Sequence, residues 1–212
     1  MTNRKIPLWE HPCFPQELAR LLRERKKVVL PADGLTTAAV LVPLYRKEGR
    51  YHVLLTKRSD EVEHHKGEIS FPGGKLDPSD ADLIACALRE TAEEIGIAPE
   101  HVQILGELDD FYTVATHFHV VPFVGLIPHP YPLRPSAREI AGVVTPPVDI
   151  FFDPKARSEE VWYFQGRLVN VVAYSWEGHT IWGATARILK HFAELVLAWA
   201  PASPVHSNAA PG

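Results

Sequence analysis

Apolar residues recur along the chain with the period of strands in some segments and of helices in others. Two early runs, LTTAAVLVPLYR and YHVLLTKR, are rich in β-branched and aliphatic residues and are separated by KEGR. This pattern predicts two strands joined by a hairpin. Further strand-like runs, each bounded by Pro, Gly, Asp or Asn, are HVQILGEL, FHVVPFVGLI, GVVTPPVDIFF, EVWYFQG and RLVNVVAYSWEG. Strands therefore dominate the second half.

Three segments have helical periodicity. ELARLLRERKK (Glu17–Lys27) predicts a short N-terminal helix docked on the domain, and GATARILKHFAELVLAWA (Gly183–Ala200) predicts a closing helix. Between them, ADLIACALRETAEEI predicts a central helix. Asp77 to Asp80 provide capping residues before it, and Gly96 suits the left-handed position after it. The preceding GEISFPGGKLDPSD is predicted to be a long loop.

Strands mixed with an early, a central and a late helix predict an α/β fold, specifically an α/β/α sandwich with a mixed sheet. No GxGxxG or GxxxxGK[ST] unit follows a strand, which disfavours the nucleotide-cradle folds. We expect an N-terminal helix and lead-in over residues 1–34, one globular domain over 35–200 and a disordered tail over 201–212.

Composition and charge narrow the function classes. The 212 residues carry a net charge of −4, so no broad nucleic-acid surface is expected. Neither a signal-peptide-like start nor an apolar run of membrane-spanning length is found, and no membrane partner is expected. The two cysteines, Cys13 and Cys86, are far apart and support neither a disulfide framework nor a cysteine-rich zinc site. These features favour a cytoplasmic protein without a nucleic-acid or membrane partner.

The central helix carries three glutamates next to one arginine in the stretch RETAEEIG. Counted from residue 83 at about 100° per residue, Glu90, Glu93 and Glu94 lie at about 340°, about 280° and about 20°. Arg89 lies at about 240°, whereas the apolar positions span about 140°. We therefore predict one charged stripe that is separate from the apolar face.

Two interpretations of this stripe are open from the residues alone. A solvated helix face, with Arg89 pairing with Glu93, would gain roughly 0.2–0.5 kcal/mol. A divalent cation would instead convert the repulsion among the carboxylates into binding. The SFPGGK loop favours the cation, because Gly73 and Gly74 permit close backbone approach to the carboxylates. Mg²⁺, which bridges carboxylates to substrate phosphates, suits such a platform.

Other side chains leave their roles open. His117 and His119 share a predicted strand face, but no third zinc ligand accompanies them in the sequence. Four aromatic residues on or near predicted strands either stack on an adenine or lie in the core, namely Phe111, Tyr112, Trp162 and Tyr163.

The segment GGKLDPSDADLIACALRETAEEIGI (Gly73–Ile97) resembles the Nudix box, G-x5-E-x7-R-E-U-x-E-E-x-G-U, in which U is a bulky aliphatic residue. RETAEEIGI matches the second half, with Thr91 in place of the aliphatic residue. Asp80 stands where the pattern has glutamate, and eight residues rather than seven separate it from Arg89. This one-residue extension resembles the coenzyme A branch of the family.

A second resemblance lies just upstream. LLTKRSDEVEHHKGEISFPGG (Leu54–Gly74) is similar to the signature of coenzyme A pyrophosphatases, LLTxRS followed by a basic stretch and Gx3FPGG. The positions that fit are Leu54, Leu55, Thr56, Arg58, Ser59, Gly67, Phe71, Pro72, Gly73 and Gly74. Glu63 departs, because arginine is common there. IWGATARIL (Ile181–Leu189) resembles the closing helix of the same branch.

The resemblance implies an α/β/α sandwich that uses Mg²⁺ or Mn²⁺ to hydrolyse a nucleoside diphosphate linked to another group. In the coenzyme A branch, CoA or acyl-CoA is cut into 4′-phosphopantetheine, or its acyl form, and adenosine 3′,5′-bisphosphate. Another Nudix substrate, such as ADP-ribose or NADH, is the alternative within the family. A non-catalytic nucleotide-binding module is the alternative of a different class.

By position, the resemblance assigns the catalytic residues on the central helix. Glu93 and Glu94 would be metal ligands, and Glu90 would be a ligand or the base that acts on water. Arg89 would orient these carboxylates, and Asp80 would be a weaker contributor at the periphery of the metal site.

The resemblance also suggests residues that bind the substrate. Arg58 and Lys66 are candidates for gripping phosphates, and arginine suits bidentate contact. Gly73 and Gly74 are assigned to the same substrate site. Glu139 lies where Nudix enzymes often carry a further carboxylate near the metal, and surface charge is its other interpretation.

Overall fold

The computed structural model describes residues 7–59, 67–113, 117–164 and 166–199. Its α-helices are α1 (Phe14–Glu24), α2 (Leu83–Ile95) and α3 (Gly183–Ala198). Short 3₁₀ helices span Leu8–Glu10, Pro99–His101, Val148–Phe152 and Pro154–Ala156. The strands are β1 (Thr36–Lys47), β2 (Arg50–Val53), β3 (Leu55–Arg58), β4 (Ile69–Ser70), β5 (Gly73–Lys75), β6 (Gln103–Glu107), β7 (Phe111–Tyr112), β8 (Phe118–Leu126), β9 (Ile140–Val144), β10 (Arg157–Phe164), β11 (Arg167–Trp176) and β12 (His179–Trp182).

The main sheet is mixed, as predicted. β1 and β8 lie at its centre and run parallel, and the strand order is β2-β1-β8-β6. β5 adds to β1 and β7 adds to β8, both antiparallel. The predicted hairpin joins β1 to β2 through Glu48 and Gly49, which both have positive φ. That geometry is the two-residue turn that matches strand twist. β10, β11 and β12 form one smaller sheet, and β4, β3 and β9 form another.

Two helical layers cover the main sheet. Side chains alternate between the faces of a strand, so β1 contributes to both. Ala39 and Leu41 pack in a cluster with Cys86 and Ala87 of α2. Val42 and its same-face neighbours pack in a larger core with α1 and α3. The predicted α/β/α sandwich is therefore confirmed.

The first helix is displaced from its predicted position. α1 begins at Phe14 and ends at Glu24, three residues earlier at each end than the sequence pattern indicates. Pro15 suits the first turn, where its missing N–H costs nothing. After the helix the chain is extended, because Asp109 and Asp110 accept hydrogen bonds from the amides of Val28 and Leu30.

Two other segments differ from expectation. The predicted loop before α2 contains β4 and β5, which are too short to show periodicity. GVVTPPVDIFF, predicted as one strand, is β9 followed by the 3₁₀ helix Val148–Phe152, since two consecutive prolines interrupt the ladder. In the described part of the chain, no helix is both long and apolar enough to cross a membrane. The tail over 201–212 lies outside the described residues, and the domain boundaries remain predictions.

Candidate functional site

The helix α2 has defined ends that fix its position beside the sheet. Asp82 is the N-cap, and its side chain accepts a hydrogen bond from the amide of Ala85 at 2.8 Å. Gly96 ends the helix in the left-handed conformation, as predicted. The predicted capping cluster from Asp77 to Asp80 is instead a separate turn, in which the Asp77 amide donates to Asp80 at 2.9 Å. The cluster therefore orients Asp80 and does not cap the helix.

The glutamates of α2 do not share one exposed stripe. The side chain of Glu93 is 59% exposed, whereas Glu94 is only 4% exposed. A wheel position of about 20° places Glu94 between the apolar positions 83 and 87, so its side chain points toward the core. The prediction of a single charged stripe is thus wrong for Glu94. Thr91, which departs from the Nudix pattern, is also buried and satisfies its hydroxyl on the carbonyl of Ala87.

Arg89 connects the acidic residues around it. Its guanidinium donates to both carboxylate oxygens of Asp80, at 2.8 and 3.0 Å. It also donates to Glu90 at 2.9 Å and to Glu93 at 3.1 Å. The hydrogen bonds from Arg89 hold the pKa of Asp80 well below its usual range. Asp80 therefore acts on the site through Arg89, which it fixes in place.

Glu90 lies directly against the backbone of the glycine pair. A Cβ atom at Gly74 would stand 2.5 Å from Oε2 and 2.6 Å from Oε1 of Glu90. No residue other than glycine leaves room for this carboxylate. Burial raises the pKa of Glu90, opposed by Arg89, and the charges of Glu93 and Glu139 raise it further.

Glu94 is a buried carboxylate with an unmatched oxygen. Its Oε2 has no hydrogen-bond partner within the described ranges. Burial raises the pKa of Glu94 to about 8, and the charges of Glu90 and Glu139 add to the effect. Arg58 and the amide of Gly73 oppose it. A further positive charge beside this group would favour its ionised form.

Glu139 lies close enough to act on both inner carboxylates. Its backbone carbonyl accepts from the amide of Ser59 at 2.8 Å. The amide of Ser136, in the same loop, donates to the carbonyl of Glu94 at 2.8 Å. This loop is thereby tied to the C-terminal end of α2. Glu139 itself is exposed, so both the acidic contribution to the site and the surface-charge interpretation stay open.

The donor set suits a hard divalent cation. Carboxylate oxygens are ligands that Mg²⁺ prefers. Two candidates are available here: Oε2 of Glu94, which has no described hydrogen-bond partner, and the Glu90 carboxylate, which lies against Gly74. Within the described ranges, no three His, Cys, Asp or Glu side chains are already grouped around one point. Arg89 engages Glu90 and Glu93, so these two carboxylates face the guanidinium.

A cavity of about 540 Å³ opens beside the glycine pair. Arg58, Gly73 and Gly74 line it, and no described residue accepts a hydrogen bond from the buried Nε of Arg58. Much of the remaining wall is apolar, with contributions from Val40, Ile69, Phe71, Phe118, Val120 and Trp182. The structure therefore brings three of the four predicted substrate-binding residues together. The fourth, Lys66, lies outside the described residues.

Some of the aromatic and histidine candidates line the cavity, and others lie elsewhere. Trp162 lines the cavity with an exposed ring, whereas Tyr163 is not part of the lining. Trp182, also exposed and in the lining, was not singled out from the sequence, although it belongs to the IWGATARIL motif. His119 is buried and its Nε2 is 2.9 Å from Asp110. His119 is therefore part of a buried polar pair, and no zinc site is formed among the described residues.

Burial of Glu94 predicts a pH-dependent stability. In the presence of a chelator, the free energy of unfolding should fall between about pH 5 and pH 8, because only the unfolded state ionises this group until the pH passes its folded pKa of about 8. At about 1.36 kcal/mol per pKa unit, the loss is on the order of 2–4 kcal/mol. Denaturant unfolding across this range measures it, and Glu94→Gln should remove the slope.

Glu93→Gln is the matched control for that experiment. Its carboxylate is exposed, so the variant should keep the wild-type dependence of stability on pH. If the free energy of unfolding depended on pH in the same way in the wild type and in Glu94→Gln, then Glu94 would not be a buried carboxylate with a raised pKa.

Comparisons with known proteins agree with the geometry. Residues 35–165 match the model of the NUDIX domain. The chain is 38% identical over 161 residues to the uncharacterized Nudix hydrolase NudL of Yersinia pestis (strain Pestoides F), covering 75% of this chain and 79% of the relative. The NudL of Yersinia pseudotuberculosis serotype O:1b gives the same values. Among solved structures, a MutT/nudix family protein from Enterococcus faecalis has a similar fold, with a TM-score of 0.52 and 18% identity over 85% of this chain and 69% of that one.

Proposed function

This chain belongs to the Nudix hydrolase family, and we propose that it hydrolyses the pyrophosphate bond of coenzyme A or acyl-CoA. The products would be 4′-phosphopantetheine, or its acyl form, and adenosine 3′,5′-bisphosphate. One observation carries the proposal. The described part of the segment that resembles the coenzyme A signature lines one side of the cavity and also lies against the Glu90 carboxylate of α2.

Residues of the coenzyme A signature lie both along the substrate cavity and against a carboxylate of α2. Arg58, Phe71, Gly73 and Gly74 all fit the signature, and all four line the cavity. Gly74 is also the residue against which Glu90 packs. A substrate held by this segment would have its diphosphate next to α2, which supports a role of the segment in substrate choice.

Arg58 is the proposed phosphate ligand. Its guanidinium is a planar donor that suits bidentate contact with phosphate oxygens, and its Nε is buried with no described partner. Lys66 is proposed as a second cation on the same segment. Gly73 and Gly74 present backbone without side chains, which permits close approach of a diphosphate.

Nudix hydrolases generally use divalent ions such as Mg²⁺ or Mn²⁺. We assign Glu90, Glu93 and Glu94 as the ligands in this chain. When bound, the ion would neutralise phosphate oxygens and lower the pKa of a nearby water. Arg89 contacts Glu90 and Glu93 and so positions them.

Hydrolysis requires one water and one proton acceptor. The water oxygen forms a bond to one phosphorus, the bond from that phosphorus to the bridging oxygen breaks, and the bridging oxygen leaves on the other phosphate. Glu90 is half-buried with a raised pKa, which brings the carboxylate closer to the range of a general base at neutral pH. Glu90 therefore serves as a ligand or as the acceptor of the water proton.

A substrate panel tests the proposal. With Mg²⁺, the purified protein should convert CoA to 4′-phosphopantetheine and adenosine 3′,5′-bisphosphate, with kcat/KM above the values for ADP-ribose and NADH. Chromatographic separation of the nucleotide products measures this. Glu94→Gln protein purified in parallel controls for a contaminating hydrolase. Cleavage of ADP-ribose with CoA left intact would contradict the substrate assignment.

A further inference from the structure

The wall of the cavity formed by α3 carries polar groups that the hydrolysis does not use. Gly183, Ala184, Thr185 and Arg187, all from the start of this helix, line the cavity. The N-cap residue is Trp182, and no side chain caps the helix. The first-turn N–H groups of a helix have no intrahelical partner, and this end carries partial positive charge. The helix start therefore offers donors to an anion.

Thr185, a mostly buried residue, adds a hydroxyl at the same place. The residue is 7% exposed, and no described residue forms a hydrogen bond with its side chain. Thr91, the other buried threonine in a described helix, satisfies its hydroxyl on the backbone. Because Thr185 lines the cavity, its hydroxyl is reached from the cavity side, and a ligand that displaces water there must supply its hydrogen bond. Thr185 thus points to a ligand independently of the helix end.

Arg187 is a third donor, and no carboxylate among the described residues pairs with it. Its Nη1 donates to the carbonyl of Tyr112 at 3.0 Å, and its guanidinium lies 5.7 Å from the ring centre of Phe111. Burial lowers its pKa, and within the described ranges no acidic group offsets this. Arg25 and Arg89, by contrast, each pair with an aspartate. Arg187 is therefore a partly buried cation on an otherwise largely apolar wall.

We propose that Thr185, Arg187 and the first turn of α3 form an anion subsite that binds a phosphomonoester carried by the substrate apart from its diphosphate. Arginine and helix N-termini both favour phosphate. The inference rests on the proposed function, since CoA carries a 3′-phosphate on its ribose, whereas ADP-ribose and NADH carry no such group. The subsite would thus select CoA among nucleoside diphosphate derivatives, while the α2 carboxylates act on the diphosphate that these compounds share.

Binding without turnover tests the subsite. Titration calorimetry in the presence of a chelator compares adenosine 3′,5′-bisphosphate with 5′-AMP, which lacks only the 3′-phosphate. The wild type should bind the bisphosphate about 10- to 100-fold more tightly. In Arg187→Met the ratio of the two dissociation constants should fall to near one, and in Thr185→Val it should fall severalfold.

Lys190→Met is the matched control. Lys190 lies one turn further along α3 and pairs with Glu159 at 3.1 Å, so the variant removes one positive charge without altering the cavity lining. It should keep the wild-type ratio, and thermal melts check that each variant is folded. Equal affinity of the wild type for both nucleotides, or an unchanged ratio in both Arg187→Met and Thr185→Val, would overturn the inference. Failure of the CoA assignment would appear separately, in the substrate panel.

Discussion

Glu94→Gln is expected to lower kcat for pyrophosphate hydrolysis by about a thousandfold or more while the protein stays folded. The substitution preserves the shape of a buried side chain but removes the charge proposed to hold the cation. Because Oε2 of Glu94 has no described partner, no internal hydrogen bond is lost. At pH 8 or above and with a chelator present, the variant should be more stable than the wild type, since a buried carboxylate without a compensating charge is removed. Turnover and denaturant unfolding of the same preparation measure both effects.

The opposite signs of these two effects distinguish a functional carboxylate from a structural one. If the Glu94 carboxylate stabilised the fold, its conversion to glutamine would lower the free energy of unfolding, as the breaking of a buried ion pair does. Asp77→Asn is the control, because Asp77 lies in the turn that orients Asp80 but forms no ion pair with Arg89. Its kcat should stay within a fewfold of the wild type. Near-normal turnover in Glu94→Gln would contradict the assigned role.

Alanine in place of either glycine of the pair is expected to produce two different defects. At Gly74, the new Cβ would displace the carboxylate of Glu90, so kcat should fall about a hundredfold with less than about 1 kcal/mol lost in stability. At Gly73, φ is +148° and the new Cβ would stand 2.6 Å from Cα of Val40, in the backbone of β1. Gly73→Ala should therefore cost on the order of 3–5 kcal/mol.

Gly142→Ala provides the control for this pair. Gly142 lies in β9, and a Cβ there would meet no atom within 4 Å. Both its stability and its turnover should stay close to wild type. Two results together would contradict this expectation: equal losses of stability in Gly73→Ala and Gly74→Ala, and wild-type turnover in Gly74→Ala. They would show that catalysis does not depend on the position of the Glu90 carboxylate against Gly74.

Much of the fold follows from local patterns in the sequence. The alternation along β1, with Ala39 and Leu41 on one face and Val42 on the other, predicts a strand covered on both sides. Gly96 marks the end of α2 because a left-handed residue is needed there. The short strands β4 and β5 could not be predicted, since two or three residues show no period.

The site was less accessible to sequence reasoning. The motif indicates the candidate residues of α2, but it does not indicate the burial of Glu94, because a carboxylate is counted as exposed by default even where its wheel position is apolar. Trp182 and Arg187 lie in the IWGATARIL motif, but nothing in the local pattern of that motif indicates that they line the cavity. They reach it only because α3 and β12 pack beside the segment around Gly73, which is distant in sequence.

We propose that Glu90 and Glu94 of α2 bind a divalent cation next to the substrate diphosphate. Crystals grown with Mn²⁺ and adenosine 3′,5′-bisphosphate, examined by anomalous scattering at the manganese edge, test it directly. We expect a manganese peak within bonding distance of oxygens from Glu90 and Glu94, on the side of Gly74. A peak bound elsewhere, with the Glu94 carboxylate left unpaired in the core, would contradict it.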